Sequence, residues 1–440
     1  MPLIVRSVDR FVVFVFLSIF AGVFWPPNEY FFKEAVRAGP SNIYDFTAFS
    51  ILIPFLAVAF FLSRVEVARL LRVAWPVLLL CGLAFVSAVW ADDPQLVIRR
   101  SGTLTATALF GIYLIARSDF GSMIGTLVKV YALAMLISLV LVTVAPQLGT
   151  TTTGEMYVHS WRGVFTDKNE LGMACAIGIL LSVYALAKGL GPRSISGFTL
   201  VASAALLAGA QSKTPVVMLA AALYAGLLGS ALRRRSGRGL ALSFLLIVVG
   251  LALAGMLLLG WQDLLAALGR DATLTNRTKI WHYALVFIAH RPWLGYGFGG
   301  FWRLDGLEAN QFWVLVEFAT PHAHNAWLEL GLDLGIVGIA AAALTWSATL
   351  YRAVRGVTLP PAQHAAFCLA LLAGIFVENI TEYEFMRQGH ILWALFAAAS
   401  AYLGMQLSDW HHRGLARAAP PPLAAAALGA YAARGVPIKP

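Results

Sequence analysis

The chain has 440 residues, of which 59% are hydrophobic and only 12% charged, with a formal net charge of +10. A soluble domain carries about twice that charged fraction, and apolar runs near membrane-crossing length recur from end to end, which excludes a soluble protein with a single anchor. Short alternating segments of the β-barrel kind are absent, and the basic balance reads as positive cytoplasmic loops rather than a nucleic-acid surface.

Arg6 and Arg10 precede an apolar run from Phe11 to Trp25, and no small-residue cleavage site follows. The run is therefore expected to stay in place as a first span. Taking about 20 residues per crossing, spans are predicted near 10–25, 44–63, 74–90, 101–116, 124–145, 169–188, 195–210, 215–232, 240–260, 326–351, 363–380 and 389–407. All must be helices, because lipid offers backbone groups no partner.

With the N-terminus inside, Arg64, Arg69, Arg72, Arg117, Lys188, Arg193, the run "RRRSGR" from Arg233, Arg352, Arg355, Arg413 and Arg417 all fall on one side. The positive-inside rule makes that side cytoplasmic, together with both termini. The other side holds 26–43, 146–168, the turn "QSKT" and the long segment 261–325. Cys81, Cys175 and Cys368 lie far apart in apolar runs and suit small core positions, not a disulfide or metal site. No internal repeat is present. The expected organisation is one all-α polytopic transmembrane domain over 1–407, followed by a disordered cytoplasmic tail over 408–440, where "RAAPPPLAAAALGA" falls.

Four polar clusters share the non-cytoplasmic side: "HSWRGVFTDKNELG" from His159, "QSKTP" from Gln211, "TNRTKIWHYALVFIAHRPWLGYGFGGFW" from Thr275, and "TPHAHNAWLELGLDLGIVG" from Thr320. In the third, Ile280, Trp281, Ala284, Leu285, Phe287 and Ile288 recur at helical spacing, a surface helix with a basic edge at Arg277 and Lys279. Pro292 and the glycines of "GYGFGG" stop it. That run has no preceding strand, so it is read as a turn between surface elements, not a dinucleotide loop.

Arg162, Lys168, Lys213 and Arg277 lie outside the positive-inside pattern. Each either snorkels and pairs with an acid, as Asp167 and Glu170 allow for Lys168, or binds an anion. Several cations on one cavity would hold a diphosphate and stabilise it as a leaving group. His322 and His324 offer a base near neutral pH; the alternative is an interface pair with Asn325 as helix N-cap. A zinc reading ranks below both, because no third ligand stands at standard spacing. Glu329 and Asp333, one and two turns into the following span, need partners or a cavity there, which favours a site.

The segments "WRGVFTDKNELG", "QSKT", "NRTKIWHYALVFIAHRPWLGYGFGGF" and "HAHNAWLELGLDLGIVG" together resemble the O-antigen ligase and polymerase superfamily of bacterial inner-membrane proteins. The resemblance runs from about Arg162 to Gly338 and includes the span count and the long periplasmic loop. It implies a GT-C-like helical membrane fold of about twelve spans and a lipid-dependent glycosyltransferase. The glycan would pass en bloc from undecaprenyl diphosphate to a sugar hydroxyl of lipid A–core. No metal or other cofactor, and no nucleic acid, is implied.

By that resemblance His324 is the base, with His322 beside it, and Arg277 belongs to the catalytic set. Lys213 stands where the family usually has Arg. Arg162, Lys168, Asn169 and Arg291 complete the donor site, and Asn325 and Glu329 support the acceptor side. Rival readings are an O-antigen polymerase, a protein O-oligosaccharyltransferase and, in a different class, a transporter of polyprenyl-linked sugar.

Overall fold

A computed structural model describes residues 3–23, 43–62, 64–117, 119–151, 160–234, 236–250, 277–358 and 363–418. Most of the 26–43 loop, the part of the long segment before Arg277 and the tail beyond 418 lie outside the described residues, as does the end of the span near 240–260. Among the described residues the secondary structure is helical, apart from one isolated bridge between Thr150 and Trp161.

Among the described residues, helices overlap the predicted span positions, with borders set by local chemistry. Asp119 accepts from Ser122 N at the start of Phe120–Val144. Asp167 accepts from Asn169 N and Glu170 N at the start of Lys168–Lys188, which ends on left-handed Gly189. Among the described residues six helices, against the twelve spans expected, are long and apolar enough to cross a membrane: Phe120–Val144, Lys168–Lys188, Arg193–Ala210, Lys213–Arg233, Ala326–Thr358 and Ile391–His411. Trp75–Val86 and Ala365–Thr381 are shorter, and Pro94–Arg117 carries Arg99, Arg100 and Arg117. The protein is a helical membrane protein.

The main core is centred on the last long helix, where Leu392, Trp393, Phe396 and Leu403 are fully buried. That helix packs on Pro94–Arg117, while Lys213–Arg233 lies along Ala365–Thr381 and Lys168–Lys188 along Arg193–Ala210. Outward faces leave Val140, Val201, Phe244 and Leu344 exposed, as lipid contact requires. A second, aromatic core joins Ile280, Ala284 and Phe287, one face of the Arg277–His290 helix, to Tyr296, Phe301, Trp302, Phe312 and Leu332. The helical spacing read in that segment is real, and its apolar stripe meets this second core, although Leu285 faces outward.

The glycine-rich run is not a turn between surface elements. Gly295 to Phe298 are buried. Ala326–Thr358 is two helices meeting at Gly335 (φ 60°, ψ −157°), and the run fills the break. Tyr296 N donates to Leu332 O and Gly297 N to Asp333 O, both at 2.8 Å; Ile336 N donates to Pro292 O at 2.8 Å and Val337 N to Trp293 O at 3.3 Å. Backbone groups freed by breaking a helix at membrane depth must find protein partners, and this loop supplies them. Asp333 accepts from Gly299 N and lies near Arg100, which donates to Gly299 O.

A side chain at Gly335 would put its Cβ 2.4 Å from Trp293 C, in a conformation open only to glycine. Gly335→Ala is expected to lower stability by at least about 1–3 kcal/mol, read as a drop in Tm in detergent. An unchanged Tm would show that the break is not held as described.

Candidate functional site

Three of the four sequence clusters meet directly at one carboxylate that lies outside all of them. Glu382 follows the Ala365–Thr381 helix and is buried. Its Oε1 accepts from Arg277 Nη2 and from Asn169 Nδ2, the latter at 3.2 Å. Its Oε2 faces His324 Nδ1 at 3.1 Å. The remaining cluster joins through Ser212, whose Oγ donates to Asn169 Oδ1 at 2.7 Å. Burial alone would raise the Glu382 carboxyl, but the His324 hydrogen bond and the Arg277 charge outweigh it and hold the group down at about 2. An ionised Glu382 can only accept, so in the neutral form of His324 the proton sits on Nδ1 and Nε2 carries the lone pair.

The His-Ala-His-Asn turn is rigidly placed. His324 has φ 49°, a left-handed conformation for a residue with a side chain. Asn325 caps the Ala326 helix, accepting from Trp327 N at 2.9 Å and Leu328 N at 3.1 Å, and its amide donates to Ile380 O at 2.9 Å. The cap and the site are thus one device. Glu329 is buried beneath it and accepts from Ala323 N at 2.8 Å and Trp302 Nε1 at 2.7 Å. His322 packs against His324, ring centroids 4.2 Å apart, and its Nδ1 accepts from His324 N. Burial, then the neighbouring His324, lowers His322 to about 3, so it is neutral at neutral pH.

The other sequence candidates divide. Lys168 and Lys213 are the first residues of two helices whose next or preceding residue, Asn169 or Ser212, belongs to the cluster; Lys168 is half-buried and Lys213 exposed. Arg162 donates to Leu148 O and Thr166 O and so holds its own loop. Arg291 lies across Tyr296 and pairs with Asp92 and Glu308, joined to the glycine-rich loop instead of the Glu382 cluster.

Sequence reasoning passed over the turn "ENITEYEFMRQGH" from Glu378. Asn379 Oδ1 accepts from Glu384 N at 2.8 Å and Phe385 N at 2.7 Å, pinning that turn. Arg387 bridges Glu384 and Glu170, both at 3.0 Å, and His390 Nε2 lies 3.0 Å from Glu384. The available signal was charge density: five ionisable groups in a turn too short to be solvated loop.

His322, His324 and Glu382 also offer donor atoms all within 4.8 Å of one another. The third ligand, absent from the local sequence, comes from the far side of a helix pair.

Against this geometry stand two similarities to known proteins. Residues 198–343 match the family model described as O-antigen ligase. The chain is 27% identical over 268 residues to the exopolysaccharide production protein ExoQ of Rhizobium meliloti (strain 1021), a match covering 58% of this chain and 60% of that protein. Both support what the motifs resemble, the O-antigen ligase and polymerase superfamily. The chain thus spans less than two thirds of that relative's length, and Glu382 lies beyond the family match.

Glu382 neutralises a buried guanidinium, with side chains 12% and 10% exposed. Glu382→Ala leaves Arg277 unpaired and is expected to cost about 3–5 kcal/mol. Denaturant unfolding in detergent measures this, and a loss below about 1 kcal/mol would mean the pair is not formed.

Proposed function

We propose that this chain is a membrane glycosyltransferase that moves a glycan en bloc from undecaprenyl diphosphate to a sugar hydroxyl of lipid A–core at the periplasmic face of a bacterial inner membrane. About twelve GT-C-like spans, with both termini cytoplasmic, complete this reading. The observation that carries it is the His324–Glu382–Arg277 arrangement, a base, its orienting carboxylate and a cation joined by hydrogen bonds.

The acceptor hydroxyl is too weak an acid to ionise by itself at neutral pH. His324 Nε2 takes its proton as the bond to the anomeric carbon forms. Glu382 fixes the tautomer and stabilises the imidazolium that results. The diphosphate departs with the electron pair of the broken bond, and the anomeric centre inverts.

Charge on the leaving group meets a prepared field. Arg277 Nη1 is buried and has no hydrogen-bond partner among the described residues. A phosphate oxygen supplies one. The N-termini of Lys168–Lys188, Lys213–Arg233 and the Ala326 helix border the same cluster. Their positive dipole ends favour an anion. Lys168 and Lys213 add charge at two of them. Outward apolar faces leave the polyprenyl tail in lipid.

The name of the relative, an exopolysaccharide production protein, favours a second reading. In it this chain uses a second lipid-linked glycan as acceptor, with the same donor chemistry.

The test is transfer by purified protein between undecaprenyl-diphosphate glycan and either rough lipopolysaccharide or a second donor molecule, with EDTA present. His324→Ala is expected to reduce transfer about 10²–10⁴-fold, and Arg277→Ala about 10²–10³-fold, with Tm showing which variants remain folded. Full transfer by folded His324→Ala would remove that residue from the mechanism. Product only with the second donor would select the polymerising reading, and no product with either acceptor would overturn both.

A further inference from the structure

The His-Ala-His turn and Glu382 are separated in sequence by two helical segments, yet they present a compact donor set of two imidazoles and one carboxylate. We propose that His322, His324 and Glu382 form an inhibitory site for an imidazole-seeking divalent transition-metal ion, with Zn2+ as the test case. The binding rests on this cluster alone; the inhibition rests on the glycosyl-transfer reading above.

His324 Nδ1 and Glu382 Oε2 are 3.1 Å apart. Two donors on a tetrahedral ion stand ~3.3–3.6 Å apart when bonds are ~2.0–2.2 Å. An ion therefore replaces the shared proton beside the line joining the two groups, once they part by a few tenths of an ångström. His322 completes three protein ligands and leaves further positions open to water, a donor set that zinc accepts. His322 can ligate through Nε2 and keep its 3.2 Å Nδ1 contact with His324 N, or release that contact and ligate through Nδ1.

Glu382 Oε1 is already committed to Arg277 and Asn169, so one oxygen remains for the ion. The Arg277 charge opposes any cation. Hard ions such as Mg2+ and Ca2+ need several oxygens and are excluded; ions that bind imidazole strongly are not. The site is suited to an ion that comes and goes.

The consequence for the base follows from proton position. Without metal the single N–H of neutral His324 is on Nδ1, and Nε2 carries the lone pair. With metal on Nδ1, that proton resides on Nε2. The imidazole remains neutral and no proton is released, but the nitrogen that received the acceptor's proton is now a donor. The ion also takes Glu382 Oε2 from its orienting role.

The experiment uses the full chain in nanodiscs. Co2+ is titrated without substrate, following its visible absorption, and Zn2+ is measured by displacement. Wild type is expected to bind one saturable equivalent. His322→Gln and Glu382→Gln, checked as folded by Tm, are expected to bind at least about 10-fold more weakly. Saturating Zn2+ is expected to slow transfer about 10²-fold, the contribution of a positioned base, with recovery on adding EDTA.

Absence of saturable Co2+ binding, or equal binding by both variants, would overturn the site. Binding that leaves the transfer rate unchanged would overturn the inhibition. A chain that binds Co2+ as expected but transfers no glycan in EDTA would retain the metal site and defeat the transfer reading instead.

Discussion

Burying a carboxylate is costly, and Glu382 remains ionised only because Arg277, Asn169 and His324 converge on its two oxygens. The convergence works in both directions. Arg277 is a buried cation that needs an anion, and His324 is a ring that could otherwise hold its proton on either nitrogen. One group solves both problems, and in doing so it fixes the relative positions of an imidazole and a guanidinium. Arg387, which bridges Glu384 and Glu170, braces the turn that carries Glu382.

The rest of the architecture holds the four contributing segments at that point. Asn169 and Ser212 arrive at the ends of neighbouring helices, close enough that a Cβ at Gly172 would meet Pro215 Cγ at 2.8 Å. Glu382 follows the helix packed along Lys213–Arg233. His324 depends on a longer chain of support: Asn325 caps the next helix, Glu329 holds Ala323 N, and the glycine-rich loop repairs the break at Gly335. Loosening any of these would move His324 Nε2 without touching the cluster itself. That is how a loop far from the cluster comes to matter for its geometry.

Much of the site was legible because its parts are local in sequence. The His-Ala-His-Asn turn, the isolated cations and the buried Glu329 and Asp333 all break rules that an apolar helix normally obeys. Each anomaly marked a residue that needs a partner. The partner itself was not legible. Glu382 lies 58 residues from His324 and 105 from Arg277, in a turn whose charge density stands out but does not say which residues it meets. Arg162 shows the converse. It broke the same rules, yet its guanidinium serves its own loop.

Periodicity and charge in the sequence determined where helices form and the class of protein, since twenty-residue apolar runs can satisfy their backbone in lipid in only one way. The sequence also held every donor and acceptor of the cluster. Only the tertiary structure decided which of them meet. Helix formation is settled within a few residues, whereas pairing a buried carboxylate with a guanidinium and an imidazole depends on packing between segments far apart in the chain. The same holds for the glycine-rich run: its composition permitted a tight loop, but only the neighbouring break at Gly335 turned that loop into the partner of a discontinuous helix.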